Sequence, residues 1–192
     1  MPRQILILLI LLLTVPVNGE AFDRYKRVTK YDQYFTKYSK RFFGPGVDWR
    51  LFKAQAVAES HLDPEAESRV GAQGVMQIMP RTFAEIKSKN RAIAGSVQQP
   101  RWNIAAGIWY DRALWKTWKE ERPLQDRRNF MFGSYNAGQR NIINAQREAV
   151  KEGLNPNSWE SIEKVLQKVT GTRSKETIGY VRKIAVVHDA IK

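Results

Sequence analysis

The sequence predicts a mainly α-helical domain, and three observations carry that prediction. Apolar residues recur at steps of three and four along most of the chain, and glycine and proline bound the periodic runs. Strand-like alternation is nearly absent outside a small β-turn or hairpin expected near residues 70–76. A length of 192 residues suits one folded unit with a sizeable core and short terminal segments. With 43% hydrophobic and 27% charged residues, the composition is that of a globular rather than a disordered chain.

The elements follow in order. Residues 1–19 combine Arg3, an apolar run from Ile5 to Leu13, Pro16 and the cleavage-like stretch Val17-Asn18-Gly19, the pattern of a secretory signal peptide. The apolar run is shorter than the roughly 20 residues of a bilayer-crossing helix, which favours a secretory signal over a permanent membrane span, with an uncleaved N-terminal anchor as the alternative. Residues 20–46 form an aromatic and basic segment in which Tyr31, Tyr34, Tyr38 and Phe42 fall at helical spacing. Packing on the domain that follows is the expectation, with a membrane-surface or partner-binding role as the alternative. Gly44-Pro45-Gly46 ends this segment, and residues 47–192 form the main domain, with Asp48 as an N-cap. The next helix, Trp49 to about Ser60, aligns Trp49, Phe52, Ala56 and Glu59 on one face. After Pro64, Gly71 to Gly74 turn tightly, Val75 to Met79 form a short apolar piece, and Pro80 suits the first turn of a helix. Asn103 reads as the cap of a helix running through Ile104, Gly107, Ile108, Tyr110, Leu114 and Trp115, broken at Arg122-Pro123. Phe130 to Tyr135 reads as the end of another helix, stopped at Asn136-Ala137-Gly138, and helical sequence continues through Val150. Ser158 caps Trp159 to Val169, and a last helix covers about Lys175 to Ile191.

Composition removes several functions. Without cysteine there is no disulfide, thiol nucleophile, cysteine metal site or lipoprotein attachment point. His61 and His188 stand far apart and lack a paired carboxylate motif, so neither a zinc site nor a Ser-His-Asp triad is expected, and no metal or cofactor. A net charge of +13 seeks polyanions. No nucleic-acid recognition motif accompanies it, so nucleic acid is not an expected partner. An exported basic protein meets anionic cell wall and lipid headgroups instead, and the expected location is the periplasm or cell envelope.

Chemistry centres on Glu59. Cleaving a glycosidic bond requires protonating a poor leaving group, and apolar burial lets a carboxyl keep its proton near neutral pH. Glu59 continues an apolar stripe and follows Ala56, Val57 and Ala58. A glutamate at a helix end is more often exposed or ion-paired, so the surrounding block decides. That block is Glu59-Ser60, Asp63-Pro64, Ala66, Ser68, then Gly71-Ala72-Gln73-Gly74-Val75-Met76-Gln77-Ile78-Met79-Pro80-Arg81-Thr82. It resembles the soluble lytic transglycosylase (SLT) family, with its Glu-Ser, Gly-Ala-x-Gly-Leu-Met-Gln and Met-Pro-x-Thr pattern. Later blocks agree in order: Asn103-Ile104 with Gly107 and Tyr110, Tyr135-Asn136-Ala137-Gly138, and Glu176-Thr177 with Tyr180-Val181 and Ile184. The resemblance spans Asp48 to Ile184. Phe35-Thr36-Lys37-Tyr38 and Val47-Asp48-Trp49-Arg50 are similar to the catalytic part of the membrane-bound F-type members, whose further solute-binding-like domain is not expected here. Val75 stands where the family usually has Leu, and Phe132-Gly133-Ser134 where small alanines are usual.

The resemblance implies a lysozyme-like α-helical domain with a sugar-binding cleft. It implies cleavage of the β-1,4 bond between N-acetylmuramic acid and N-acetylglucosamine in peptidoglycan, with Glu59 as single acid/base and a 1,6-anhydro end on the product. It assigns Ser68, Met76, Gln77, Met79, Tyr135, Asn136 and Tyr180 to the saccharide or the acid. Local alternatives stand beside these assignments: Ser68 as a turn cap, Gln77 as a backbone partner, Asn136 with Gly138 as a helix terminator, Met76 and Met79 as core filler. Trp109, Trp115 and Trp118 share one helix, which favours packing over sugar stacking. Two rival functions are a muramidase that delivers water to the same bond, and a wall-binding assembly factor of a secretion or virion machine recruited through the basic surface and the segment from Tyr25 to Phe43.

Overall fold

A 3-10 segment, Gly19–Arg27, leads into α1 (Asp32–Phe43), α2 (Arg50–Ser60), α3 (Pro80–Lys89), α4 (Pro100–Thr117) and α5 (Leu124–Ala137). Then come α6 (Gln139–Lys151), α7 (Trp159–Thr170), a short 3-10 turn Gly171–Arg173 and α8 (Ser174–Ala190). This computed structural model describes residues 19–192, so the expected signal peptide lies, Gly19 apart, outside the described residues. Among those residues no helix is long and apolar enough to cross a membrane.

Backbone chemistry sets the helix ends. Pro80 and Pro100 occupy the first turns of α3 and α4, where a missing N–H costs nothing. Gly44, Gly138 and Gly171 terminate α1, α5 and α7. Because Pro100 opens α4, Asn103 is not its cap: it sits inside the helix with its side chain fully buried. The N-cap position of α2 is Trp49 rather than the expected Asp48, which stands two residues before the helix begins and accepts the Arg50 N–H at 3.0 Å.

The interior is one apolar core, with Phe52, Ala56 and Val57 of α2 packed among Ile104 and Ile108 of α4, Phe130 and Phe132 of α5, and Ile162 and Leu166 of α7. α2 lies against α8 and α1, and α4 against α1 and α5. The N-terminal segment enters the same core. Tyr25, Tyr31, Phe35 and Tyr38 are its buried aromatic residues, so the stripe on α1 centres on Phe35, while Tyr34 and Phe42 are only partly buried. Lys53 of α2, almost wholly buried, pairs with Asp32 of α1 at 2.9 Å. The mainly α-helical expectation is met, and the small β element is present as well: Gln73 and Ile78 exchange backbone hydrogen bonds at 3.0 Å, and Gln73 also bridges to Glu67.

Candidate active site

Glu59 stands in the last turn of α2. Immediately after the helix, His61 and Leu62 both adopt left-handed backbone (φ 56° and 66°), which turns the chain sharply into the loop that leads to α3. The carboxyl is partly buried, and Tyr180 of α8 donates its hydroxyl to Oε1 at 2.6 Å. Burial pushes the Glu59 pKa up from the ordinary 4.5 to about 7; the Tyr180 hydrogen bond and the Lys183 charge pull against that rise, and Glu176 adds to it. Lys183 is itself tethered, donating to the Ala58 carbonyl at 3.3 Å.

The loop facing Glu59 is held from three helices. Ser60 Oγ of α2 donates to the Val75 carbonyl at 2.8 Å. From α4, Asn103 Oδ1 accepts the Met76 N–H at 2.7 Å, while Nδ2 donates to the carbonyls of Gln73 and Val97, both at 2.8 Å. From α5, the Tyr135 hydroxyl donates to the Met76 carbonyl at 2.8 Å. Gly74 lets this happen: its φ is 74°, and a Cβ there would lie 2.7 Å from Asn103 Nδ2. On α4, a Cβ at Gly107 would come within 2.8 Å of the Met76 side chain.

These distances sort the residues read from the sequence. Tyr180 touches the acid directly, whereas Tyr135 is near enough to feel the Glu59 charge but donates its hydroxyl to the loop, its ring meeting Tyr110 edge-on at 5.4 Å. Met76 is a correction, because its side chain is fully buried against Gly107 and cannot line a sugar cleft; it contributes backbone to Asn103 and Tyr135 instead. Met79, 39% exposed at the start of α3, is open to solvent. Three others brace backbone or helices. Ser68 Oγ accepts the Ala72 N–H at 2.9 Å, Gln77 Nε2 donates to the Ala66 and Gly74 carbonyls at 3.0 Å, and Asn136 Oδ1 accepts the Thr177 hydroxyl at 2.7 Å. Among the described residues no group of three or more His, Asp or Glu is placed to hold a metal; His188 meets Asp48 at 3.0 Å, and His61 meets the Tyr25 hydroxyl.

Two residues near the acid escaped the sequence reading. Asp111 of α4 and Gln55 of α2 are both fully buried, with Gln55 Nε2 donating to Asp111 Oδ1 at 3.3 Å. Burial raises the Asp111 carboxyl well above its usual range, the Gln55 bond opposes this, and the Glu59 charge adds to it. A signal was available. Asp111 lies on the stripe of Ile104, Gly107, Ile108 and Leu114, the same interruption of an apolar face that singled out Glu59. A hollow of about 790 Å³ elsewhere on the surface, lined by Arg112, Ala113, Trp115, Lys116, Thr117, Lys119 and Arg127, contains no carboxylate and so offers no rival acid.

The transglycosylase SLT domain family matches residues 33–156. A membrane-bound lytic murein transglycosylase F from Shewanella pealeana is 31% identical over 176 residues, 90% of this chain and 34% of its own length. A protein of the same name from Pseudomonas fluorescens is 32% identical over 165 residues, 85% of this chain and 32% of its own. The chain therefore spans about a third of the length of these curated relatives. Among solved structures, the 70 kDa soluble lytic transglycosylase SLT70 from Escherichia coli shares the fold with a TM-score of 0.61 at 22% identity, over 91% of this chain and 28% of that one. A complex of the 70-kDa soluble lytic transglycosylase with bulgecin A gives a TM-score of 0.62 at the same identity and coverage.

Proposed function

Because this chain belongs to the transglycosylase SLT domain family, we propose that it is a peptidoglycan lytic transglycosylase with Glu59 as its single acid/base. The observation that carries the proposal is the Glu59 carboxyl itself, raised by burial to about 7 and gripped by Tyr180 at 2.6 Å. Near neutral pH such a group is protonated in about half the molecules, so it can give a proton and then take one back.

In the proposed reaction Glu59 protonates the glycosidic oxygen as its bond to the muramyl anomeric carbon breaks, and the 2-acetamido group assists at that carbon. The resulting Glu59 carboxylate then takes the proton of the muramyl C6 hydroxyl while O6 bonds the anomeric carbon, closing the 1,6-anhydro ring. No water is consumed. Most glycosidases place a second carboxylate on the sugar face. Here Asp111 is sealed in the core, which supports the one-carboxylate scheme. Tyr180 orients the acid, Tyr135 and Met79 face the sugar, and Ser68, Gln77 and Asn136 hold the surrounding backbone and helices. The names of the F-type relatives support a cell-envelope location, reached by export through the signal at residues 1–19.

The test is to incubate the purified protein and Glu59→Gln with peptidoglycan and weigh the released fragments by mass spectrometry. The proposal expects 1,6-anhydro muropeptides from the wild type alone, with turnover in the variant down roughly 100- to 10,000-fold. Fragments heavier by one water indicate a muramidase, and no soluble fragment indicates a wall-binding factor.

A further inference from the structure

One helical turn before Glu59 on α2, Gln55 meets Asp111 of α4 in the interior. Neither side chain is exposed, and the two share one hydrogen bond, Gln55 Nε2 to Asp111 Oδ1 at 3.3 Å. Their other polar arms, Gln55 Oε1 and Asp111 Oδ2, are buried without any hydrogen-bond partner. Both are acceptors when Asp111 is ionised, so neither can satisfy the other, and unpaired buried acceptors are strongly disfavoured. A proton on Asp111 Oδ2 turns that oxygen into a donor and allows a cyclic acid–amide pair with Gln55.

The surroundings favour the proton. Gln55 of α2 holds one Asp111 oxygen, and the titratable groups near enough for their charges to interact with Asp111 are Glu59 of α2, Tyr110 of α4, Tyr135 of α5 and Tyr180 of α8. The charge that acts on it is the negative one of Glu59, and an ionised carboxyl there would be both desolvated and repelled.

We propose that Asp111 is a neutral carboxylic acid paired with Gln55, a positioning residue that anchors α2 to α4 beneath Glu59 without placing a second anion there. Its positioning role rests on the reading of Glu59 as the catalytic group; its protonation does not.

Carbon NMR of the side-chain carboxyls, on the full chain and without substrate, decides the protonation, with Asp111→Asn assigning the Asp111 signal by its loss. At pH 7 that signal is expected at the neutral-acid position. The Glu59 titration midpoint is expected to stay in place in Asp111→Asn, because one neutral group replaces another. A carboxylate signal for Asp111 at pH 7, or a Glu59 midpoint lowered by about one pH unit or more in Asp111→Asn, overturns the proposal. Turnover on peptidoglycan reads the positioning. Asp111→Leu leaves the Gln55 amide unpaired and is expected to fall about tenfold or more below Asp111→Asn in kcat with KM unchanged. Equal kcat values for the two variants overturn the positioning role. A wild type with no turnover refutes the transglycosylase reading instead, and the NMR result stands apart from it.

Discussion

Replacing Glu59 by Gln should stabilise the protein at alkaline pH. The unfolded chain releases the Glu59 proton around the ordinary 4.5, whereas the folded protein holds it to about 7. Between those values the folded state binds more protons than the unfolded one, so wild-type stability falls as pH rises through that window. Above pH 7 the full penalty is present, about 3 kcal/mol from the difference between the two pKa values. Glu59 keeps some solvent contact, so the expectation is lowered to about 2 kcal/mol. Gln is neutral throughout, and its carboxamide oxygen can still accept the Tyr180 hydroxyl. Urea unfolding of both proteins across this pH range isolates the effect, because every other titrating group is common to the pair. The variant should match the wild type near about pH 4 and exceed it by about 2 kcal/mol near about pH 8.5. A difference that stays flat with pH means that the fold does not raise the affinity of Glu59 for its proton. A difference of opposite sign means that the fold stabilises the carboxylate, and the acid role fails with it.

Other perturbations test the supports around the acid. Tyr180→Phe removes a bond that favours the charged form, so the alkaline limb of kcat/KM against pH should move upward from about 7, and a downward move would contradict the geometry. Gly74→Ala should cost about 2 kcal/mol or more in urea unfolding, since it combines a positive φ with overlap on Asn103; full stability in this variant would show that the loop can shift freely. Asp32→Ala strands the buried Lys53 ammonium and should cost about 2 to 3 kcal/mol, whereas Lys53→Met should cost about 1 kcal/mol or less. Thermal unfolding of the two variants side by side checks this, and the reverse order would show that the pair is not what holds α1 to α2.

Periodicity made the helices legible because most of them bury one apolar stripe in a single core. Punctuation did the rest where proline or glycine acts locally, as at Pro80 and Gly138. The same cue stands at Pro100, but Asn103, an asparagine before an apolar run, has the composition of a cap without being one. Its true partners are Val97, six residues before it, and Gln73 and Met76 from the loop after α2, and helical spacing carries no information about that distant loop. Glu59 stood out as a carboxylate on an apolar face, and Asp111 was missed although it interrupts its own helix in the same way. Met76 shows the opposite failure. A motif marks the residue without saying whether its side chain or its backbone is used, and here the backbone meets Tyr135 while the side chain fills the space beside Gly107.

The grip of Tyr180 on Glu59 joins residues 121 positions apart, from the second α-helix to the last. A chain still emerging, or held unfolded during export, carries an ordinary solvated glutamate that is ionised at neutral pH. The proton donor comes into being when α8 docks against α2 and closes the core around it. Under the proposed function, the chemistry is thereby armed by the completion of folding, and a molecule intercepted before that step is harmless to the wall of the cell that makes it.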